Sequence, residues 1–138
     1  MGILIDATVL IEAERGFLDL GTKIKGREDE AFFLSVITAS ELLHGVWRAE
    51  DSKRRSKRAA FVEGILSQFP MLPIDLTTAR IHAQIWADLE GKGRPIGPHD
   101  LWLAAVCLAH GLILATANVK DFKRVPGLGV EQWGKGLS

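Results

Sequence analysis

Four carboxylates fall where apolar runs stop or helical ones begin. Asp6 closes Ile3-Leu4-Ile5, and Glu41 comes shortly after Phe32-Phe33-Leu34-Ser35-Val36-Ile37. Asp100 opens Leu101-Trp102-Leu103-Ala104-Ala105-Val106, and Asp121 follows Leu112-Ile113-Leu114-Ala115 after a short polar stretch. If the apolar runs are parallel strands, their ends share one sheet edge and the carboxylates converge there. Converging carboxylates repel one another and call for a cation. Hard oxygen donors suit Mg²⁺, so a magnesium-dependent site is the first expectation. Thr116 and Asn118 add neutral oxygens close to Asp121. His44 and His99 belong to no Cys/His cluster with zinc spacing.

Each acid also has an ordinary structural reading. Asp6 suits the N-cap of a helix starting near Thr8. Thr38 and Glu41 have the spacing of a capping box, and Asp100 after a Gly/Pro-rich segment again resembles an N-cap. Asp121 reads as a loop acid beside Phe122.

The elements needed to position these residues follow from the hydrophobic pattern. Residues 2–5 read as a buried strand, and 8–15 as a helix ending near Gly16. A polar stretch from Gly21 to Glu30 reads as a connection, followed by a strand over 32–37 and a helix from Thr38 to about Glu50. A second amphipathic helix is expected around 54–67, a short strand at 72–74 after Pro70, and a helix over 77–89. Residues 91–99 hold three glycines and two prolines and read as irregular. A strongly apolar helix at 100–110 stopped by Gly111, a strand at 112–115, a loop with Asn118 and Asp121, and a last short strand at 130–133 complete the chain. Alternating strands and helices predict an α/β fold with a parallel sheet covered on both faces, whose ligands bind beyond the strands' carboxyl ends.

Length and composition predict one domain over residues 1–138. Hydrophobic residues make up 47% and charged residues 25%, with 17 basic and 17 acidic side chains. Zero formal charge argues against a protein that coats nucleic acid by bulk electrostatics. Lys53, Arg54, Arg55, Lys57 and Arg58 nevertheless form a local cationic cluster, read either as a solvated helix face or as a nucleic-acid contact. Trp47, Trp86 and Trp102 are expected in the core or at an interface. The single Cys107, in an apolar run, reads as a buried hydrophobe and fits a reducing compartment. No apolar run approaches the roughly 20 residues of a membrane span. No amino-terminal leader pattern is visible, and a cytoplasmic location is expected.

Taken together, four segments resemble a known family. They are Ile3-Leu4-Ile5-Asp6-Ala7-Thr8-Val9-Leu10-Ile11, Ser35-Val36-Ile37-Thr38-Ala39-Ser40-Glu41-Leu42-Leu43-His44-Gly45, Ile96-Gly97-Pro98-His99-Asp100-Leu101-Trp102-Leu103-Ala104-Ala105, and Ala115-Thr116-Ala117-Asn118-Val119-Lys120-Asp121-Phe122. In this order they resemble the PIN domains of VapC-type toxin ribonucleases. The resemblance implies a three-layer α/β/α fold with a mostly parallel sheet, and an endoribonuclease using Mg²⁺ or Mn²⁺. It assigns Asp6, Glu41 and Asp100 to the acidic centre. Some relatives carry an acid where this chain has Asn118, so Asp121 is expected to supply the fourth carboxylate, supported by Asn118 and Thr116. Ala7 stands where a hydroxyl residue is common, and Thr8 is expected to replace it. Arg54, Arg55, Lys92, Arg94 and Lys120 are the expected RNA rim. The resemblance further implies a small antitoxin partner that covers the site, and a homodimer with helix faces near Trp47 or Trp86 as contacts.

Two other readings compete. A haloacid-dehalogenase-type phosphohydrolase would use a strand-end Asp as nucleophile, but it usually carries a second Asp two residues on, where this chain has Thr8. A non-catalytic, degenerate PIN-like binding domain would use the same acids merely as caps.

Overall fold

The computed structural model describes residues 2–136. Five strands form one sheet in the order β3-β2-β1-β4-β5, and each pairing is parallel. They are β1 (Gly2–Ile5), β2 (Ala31–Ser35), β3 (Met71–Leu72), β4 (Leu112–Thr116) and β5 (Val130–Gln132). The connecting helices are α1 (Ala7–Glu14), α2 (Leu20–Ile24), α3 (Val36–Trp47), α4 (Ser52–Gln68), α5 (Leu76–Gly91), α6 (Pro98–His110) and α7 (Val119–Phe122).

Three layers arise because side chains alternate along each central strand. Ile3 and Ile5 of β1, Leu34 of β2 and Ala115 of β4 face a core shared with Leu10, Leu42, Val62 and Ile65 of α1, α3 and α4. Leu4 and Leu114 point the other way, onto Leu103, Val106 and Cys107 of α6. Helix α5 covers the outer side of α6, where Ile85 and Leu89 meet Leu101, Ala104 and Ala105. The expected α/β/α architecture is therefore present. Cys107 is fully buried, as expected. Among the described residues, no helix is long and apolar enough to cross a membrane.

Strand order decides where a ligand can enter. From β1 the chain runs outward through β2 and β3, then returns to the far side of β1 as β4 and β5. Connections therefore leave β1 and β4 in opposite directions and open a crevice beyond their carboxyl ends. Asp6 and Thr116 stand at that crevice, where the Asp6 N–H donates to the Ala115 carbonyl at 2.9 Å.

Several sequence expectations change at the strand–helix junctions. The run 32–37 is not one strand: β2 stops at Ser35 and α3 starts at Val36 without a turn between. Ser35 is the N-cap, accepting from the Ile37 N–H at 3.0 Å, and Thr38 is buried inside the first turn. The Thr38/Glu41 capping box is therefore absent. Gly97, not Asp100, is the N-cap of α6, with Pro98 at a position where its missing N–H costs nothing. The supposed loop at Asn118–Asp121 contains α7, and the polar stretch after residue 20 contains α2. Trp47 and Trp86 are 72% and 52% exposed, which removes both from the core. Trp102 instead stacks on His82 with ring centroids 3.5 Å apart.

Candidate active site

Three acids in this chain do cap helices. Asp19, Asp51 and Asp75 each accept from a backbone N–H at the start of α2, α4 and α5. Among the described residues, Glu41, Asp100 and Asp121 make no such bond, and Asp6 makes none of cap geometry, although the Ala7 and Thr8 N–H groups lie close enough to favour its charged form. Asp6 holds the N-cap position of α1 without a cap hydrogen bond from its side chain, Asp100 and Asp121 lie within the first turns of their helices, and Glu41 lies further along α3. Capping does not explain these four.

Asp6 is only 3% exposed and is held from one edge. The hydroxyls of Thr8 and Thr116 both donate to its Oδ2, at 2.9 and 2.8 Å. Their direction is set by what they accept: Thr8 Oγ1 takes the Ala117 N–H and Thr116 Oγ1 the Asn118 N–H, each at 3.1 Å. An ionised Asp6 can only accept, so each hydroxyl turns its single proton to Oδ2 while its oxygen takes a backbone N–H. Burial raises the Asp6 pKa, and these hydroxyl bonds oppose the rise. Thr8 thus supplies the hydroxyl that Ala7 lacks.

Glu41 projects from α3 into the same region. Its Oε1 is buried and has no hydrogen-bond partner among the described residues. Its Oε2 lies 3.8 Å from His99 Nδ1. Burial, then the charges of Asp6 and Asp100, push its pKa up to about 7. Asp100 rises to about 6 through burial and the charges of Asp6 and Asp121. The four carboxylates therefore share one electrostatic field, with Asp6 and Asp100 common to its couplings. Asp121 stands at the rim with its side chain 48% exposed, 3.6 Å from Arg124 Nη2. Asn118, half-buried, precedes α7 and faces the chain near Gly136.

Among the described residues, no three His, Cys, Asp or Glu side chains stand gathered as a closed metal cage. Mg²⁺ needs few protein ligands because it retains several waters. The orphaned Glu41 oxygen, the all-oxygen donor set and the raised pKa values fit a hard divalent cation.

With this geometry, the relatives are informative. The PIN domain family model matches residues 3–128. The chain is 40% identical over 130 residues to "Ribonuclease VapC1" of Rickettsia felis, covering 94% of this chain and 95% of that protein. It is 41% identical over 101 residues to the "tRNA(fMet)-specific endonuclease VapC" of Salmonella typhimurium, covering 72% and 74%. The solved structure of DNA-bound VapBC from Salmonella typhimurium superposes with a TM-score of 0.86 at 27% identity, over 96% of this chain and 98% of that one. The chain belongs to the VapC family of PIN domains.

Around this PIN-domain centre, cationic side chains form two separate walls. On one side a cavity of about 190 Å³ is lined by Glu41, His44, Arg15, Arg48 and Arg58 among others. Arg58 is tied down there, donating to the Gly45 carbonyl at 3.3 Å and lying 3.5 Å from Glu14. Of the expected rim, Arg54 pairs with Glu50 and Asp51, while Arg55 donates to the Ala49 carbonyl at 3.1 Å and lies over Trp47. On the other side Arg94 and Lys120 share a cavity of about 480 Å³ with Gly93, Lys123 and Arg124. Lys92 faces away from that cavity and pairs with Asp88 at 3.2 Å. Sequence reasoning passed over Arg15, Arg48, Lys123 and Arg124 as candidates. Only Arg124 carried a signal, its i,i+3 spacing from Asp121.

Proposed function

We propose that this chain is a divalent-metal-dependent endoribonuclease, the toxin of a two-component toxin–antitoxin pair, acting as one domain in the cytoplasm. One observation carries the reading: electrostatically coupled carboxylates, one with an orphaned buried oxygen, border the switch point of a sheet in a VapC-family chain. When bound, Mg²⁺ or Mn²⁺ supplies polarisation of the phosphodiester and a lowered pKa for an attacking water.

The chain's own residues have distinct tasks. Asp6 and Asp100 are the direct ligands, with Asp6 oriented by Thr8 and Thr116. Glu41, whose buried Oε1 has no hydrogen-bond partner among the described residues, is placed to orient the nucleophilic water or accept its proton. Asp121 completes the acidic field from the rim, and Asn118 supports it. RNA reaches an acidic pocket only if cations neutralise its approach, which is the task of the unpaired Arg94, Lys120 and Lys123 on the α7 side.

The relatives' names supply the partner. The solved neighbours are VapBC toxin–antitoxin complexes, so a small antitoxin that covers the centre is the partner proposed here, together with a homodimer. The test is cleavage of mixed RNA by purified protein. Cleavage that needs Mg²⁺ or Mn²⁺, stops on chelation and is absent in Asp6→Asn supports the reading. Cleavage indifferent to chelation would refute it, as would no cleavage with metal present.

A further inference from the structure

The cavity formed by Gly93, Arg94, Lys120, Lys123 and Arg124 contains only two residues of the expected RNA rim, Arg94 and Lys120, and its chemistry is specific. Four cationic side chains border a space of about 480 Å³. Arg94, Lys120 and Lys123 make no ion pair among the described residues, and only Arg124 is compensated, by Asp121. In a chain of zero net charge, so many unpaired cations around one hollow is a local device rather than a bulk property. The hollow is also held in shape. Arg124 Nη1 donates to the Pro95 carbonyl at 3.1 Å, tying the segment after α5 to the end of α7. Gly93, at φ +65°, presents bare backbone with open space where a side chain would stand.

We propose that this cavity seats a backbone phosphate of the RNA, one displaced from the cleaved bond on the Asp121 side of the acidic centre. The inference rests on the ribonuclease reading, since it names how that substrate is held. The cavity's volume of about 480 Å³ lies in the range of small-molecule pockets, enough for a nucleotide unit. Lysine ammonium groups serve as point charges for phosphate oxygens, and Arg94 adds a planar fork. Arg124 joins the two regions: it neutralises Asp121, the carboxylate nearest the incoming anion, while turning its other nitrogen to the cavity's loop. Substrate is thus positioned by charge on one flank and cleaved at the adjoining centre.

The test is binding of a labelled RNA oligonucleotide to full-length Asp6→Asn protein, read by anisotropy over a range of salt. Adding Lys120→Gln and Lys123→Gln, both exposed positions, should weaken binding and reduce the log K against log salt slope by about 1 to 2. Arg54→Gln with Lys57→Gln should leave the slope unchanged. Melting curves confirm that each variant is folded. An unchanged slope in the Lys120/Lys123 variant overturns the proposal, as does absence of measurable RNA binding. Inorganic phosphate that displaces RNA from the unmodified cavity as completely as excess unlabelled RNA reassigns the site to free phosphate and also overturns it. Loss of a co-purifying small protein with an unchanged RNA slope does the same, marking the cavity as a protein-docking surface. Cleavage by the wild-type chain is scored separately: cleavage with an unaltered slope sinks this cavity alone, and an altered slope without cleavage sinks the ribonuclease reading alone.

Discussion

The two cationic walls beside the acidic centre carry similar charge and differ in how many of their cations already have partners. On the α4 side, Arg54, Arg55 and Arg58 reach Glu50, Asp51, Glu14 and the carbonyls of Ala49 and Gly45. Arg58 joins α4 to α1 and α3, Arg55 closes the turn between α3 and α4, and Arg54 pairs with acids just before its own helix. On the α7 side, Arg94, Lys120 and Lys123 have no such partners among the described residues and line an open cavity. Three cations of the denser basic cluster in the sequence are thus already engaged, while Lys53 and Lys57 have no ion pair among the described residues; on the α7 side three of the four cations remain available to an anion. Counting positive charges along a chain does not locate a binding surface. What matters is which of them already have partners.

The largest effect separates the centre from both walls. Asp6→Asn or Asp100→Asn should lower RNA cleavage by about 100-fold or more, the scale for losing an electrostatic stabiliser in a site. Neither change should unfold the protein. Removing one of several repelling charges should hold or raise the melting temperature without metal, because burial and like charges already oppose ionisation of Asp100. Full activity in either folded variant would break the assignment of these residues. Conversely, neutralising a wall residue should never approach this loss.

Next in size is the response to pH and metal. The folded-state pKa values of Glu41 and Asp100 lie near 7 and 6, above their ordinary values of 4.5 and 3.8. Between those limits the folded state binds more protons than the unfolded one, so stability falls as pH rises. The contribution is fully present below about pH 4 and is lost as pH climbs through about 6 and about 7. Saturating Mg²⁺ should reverse the loss, raising the melting temperature on the order of 5 °C at pH 8 and much less at pH 5. A metal effect equal at both pH values would mean that the cation binds elsewhere.

Much of this centre was legible because the pattern of apolar runs and breakers is coarse and robust. The runs at β1 and β4, and Gly111 at φ +65° ending α6, mark elements whose order forces a parallel sheet, and such a sheet collects strand-end acids at one edge. The junctions were less legible. Phe32 to Ile37 is one apolar run, yet the chain changes from strand to helix inside it, and Ser35 competes with Thr38 as the hydroxyl that caps. Choosing the wrong one made Glu41 look like a capping residue. Helix α2 has only five residues and includes Gly21, too short for a periodic signal. The two walls were harder still. Arg54 with Glu50 is visible as an i,i+4 pair, but Arg58 meets Glu14 and Gly45 only through the packing of three helices.

The smallest effect tests the committed wall itself. Arg55 is half-buried, donates to the Ala49 carbonyl at 3.1 Å, and sits 5.7 Å from the centroid of the exposed Trp47 ring. It therefore closes the turn between α3 and α4 and shields one side of an aromatic that is 72% exposed. Arg55→Ala should cost about 1 kcal/mol, combining one charge-assisted bond to a carbonyl with a solvent-weakened cation–π contact. Arg55→Lys keeps the charge but loses the planar fork, and should recover only part of that stability. Denaturant unfolding measures both. The salt dependence of RNA binding, measured in the same proteins, should stay at its wild-type slope. A slope reduced as far by Arg55→Ala as by Lys120→Gln with Lys123→Gln would show that both walls carry RNA, and the contrast between a structural wall and an available one would then fail.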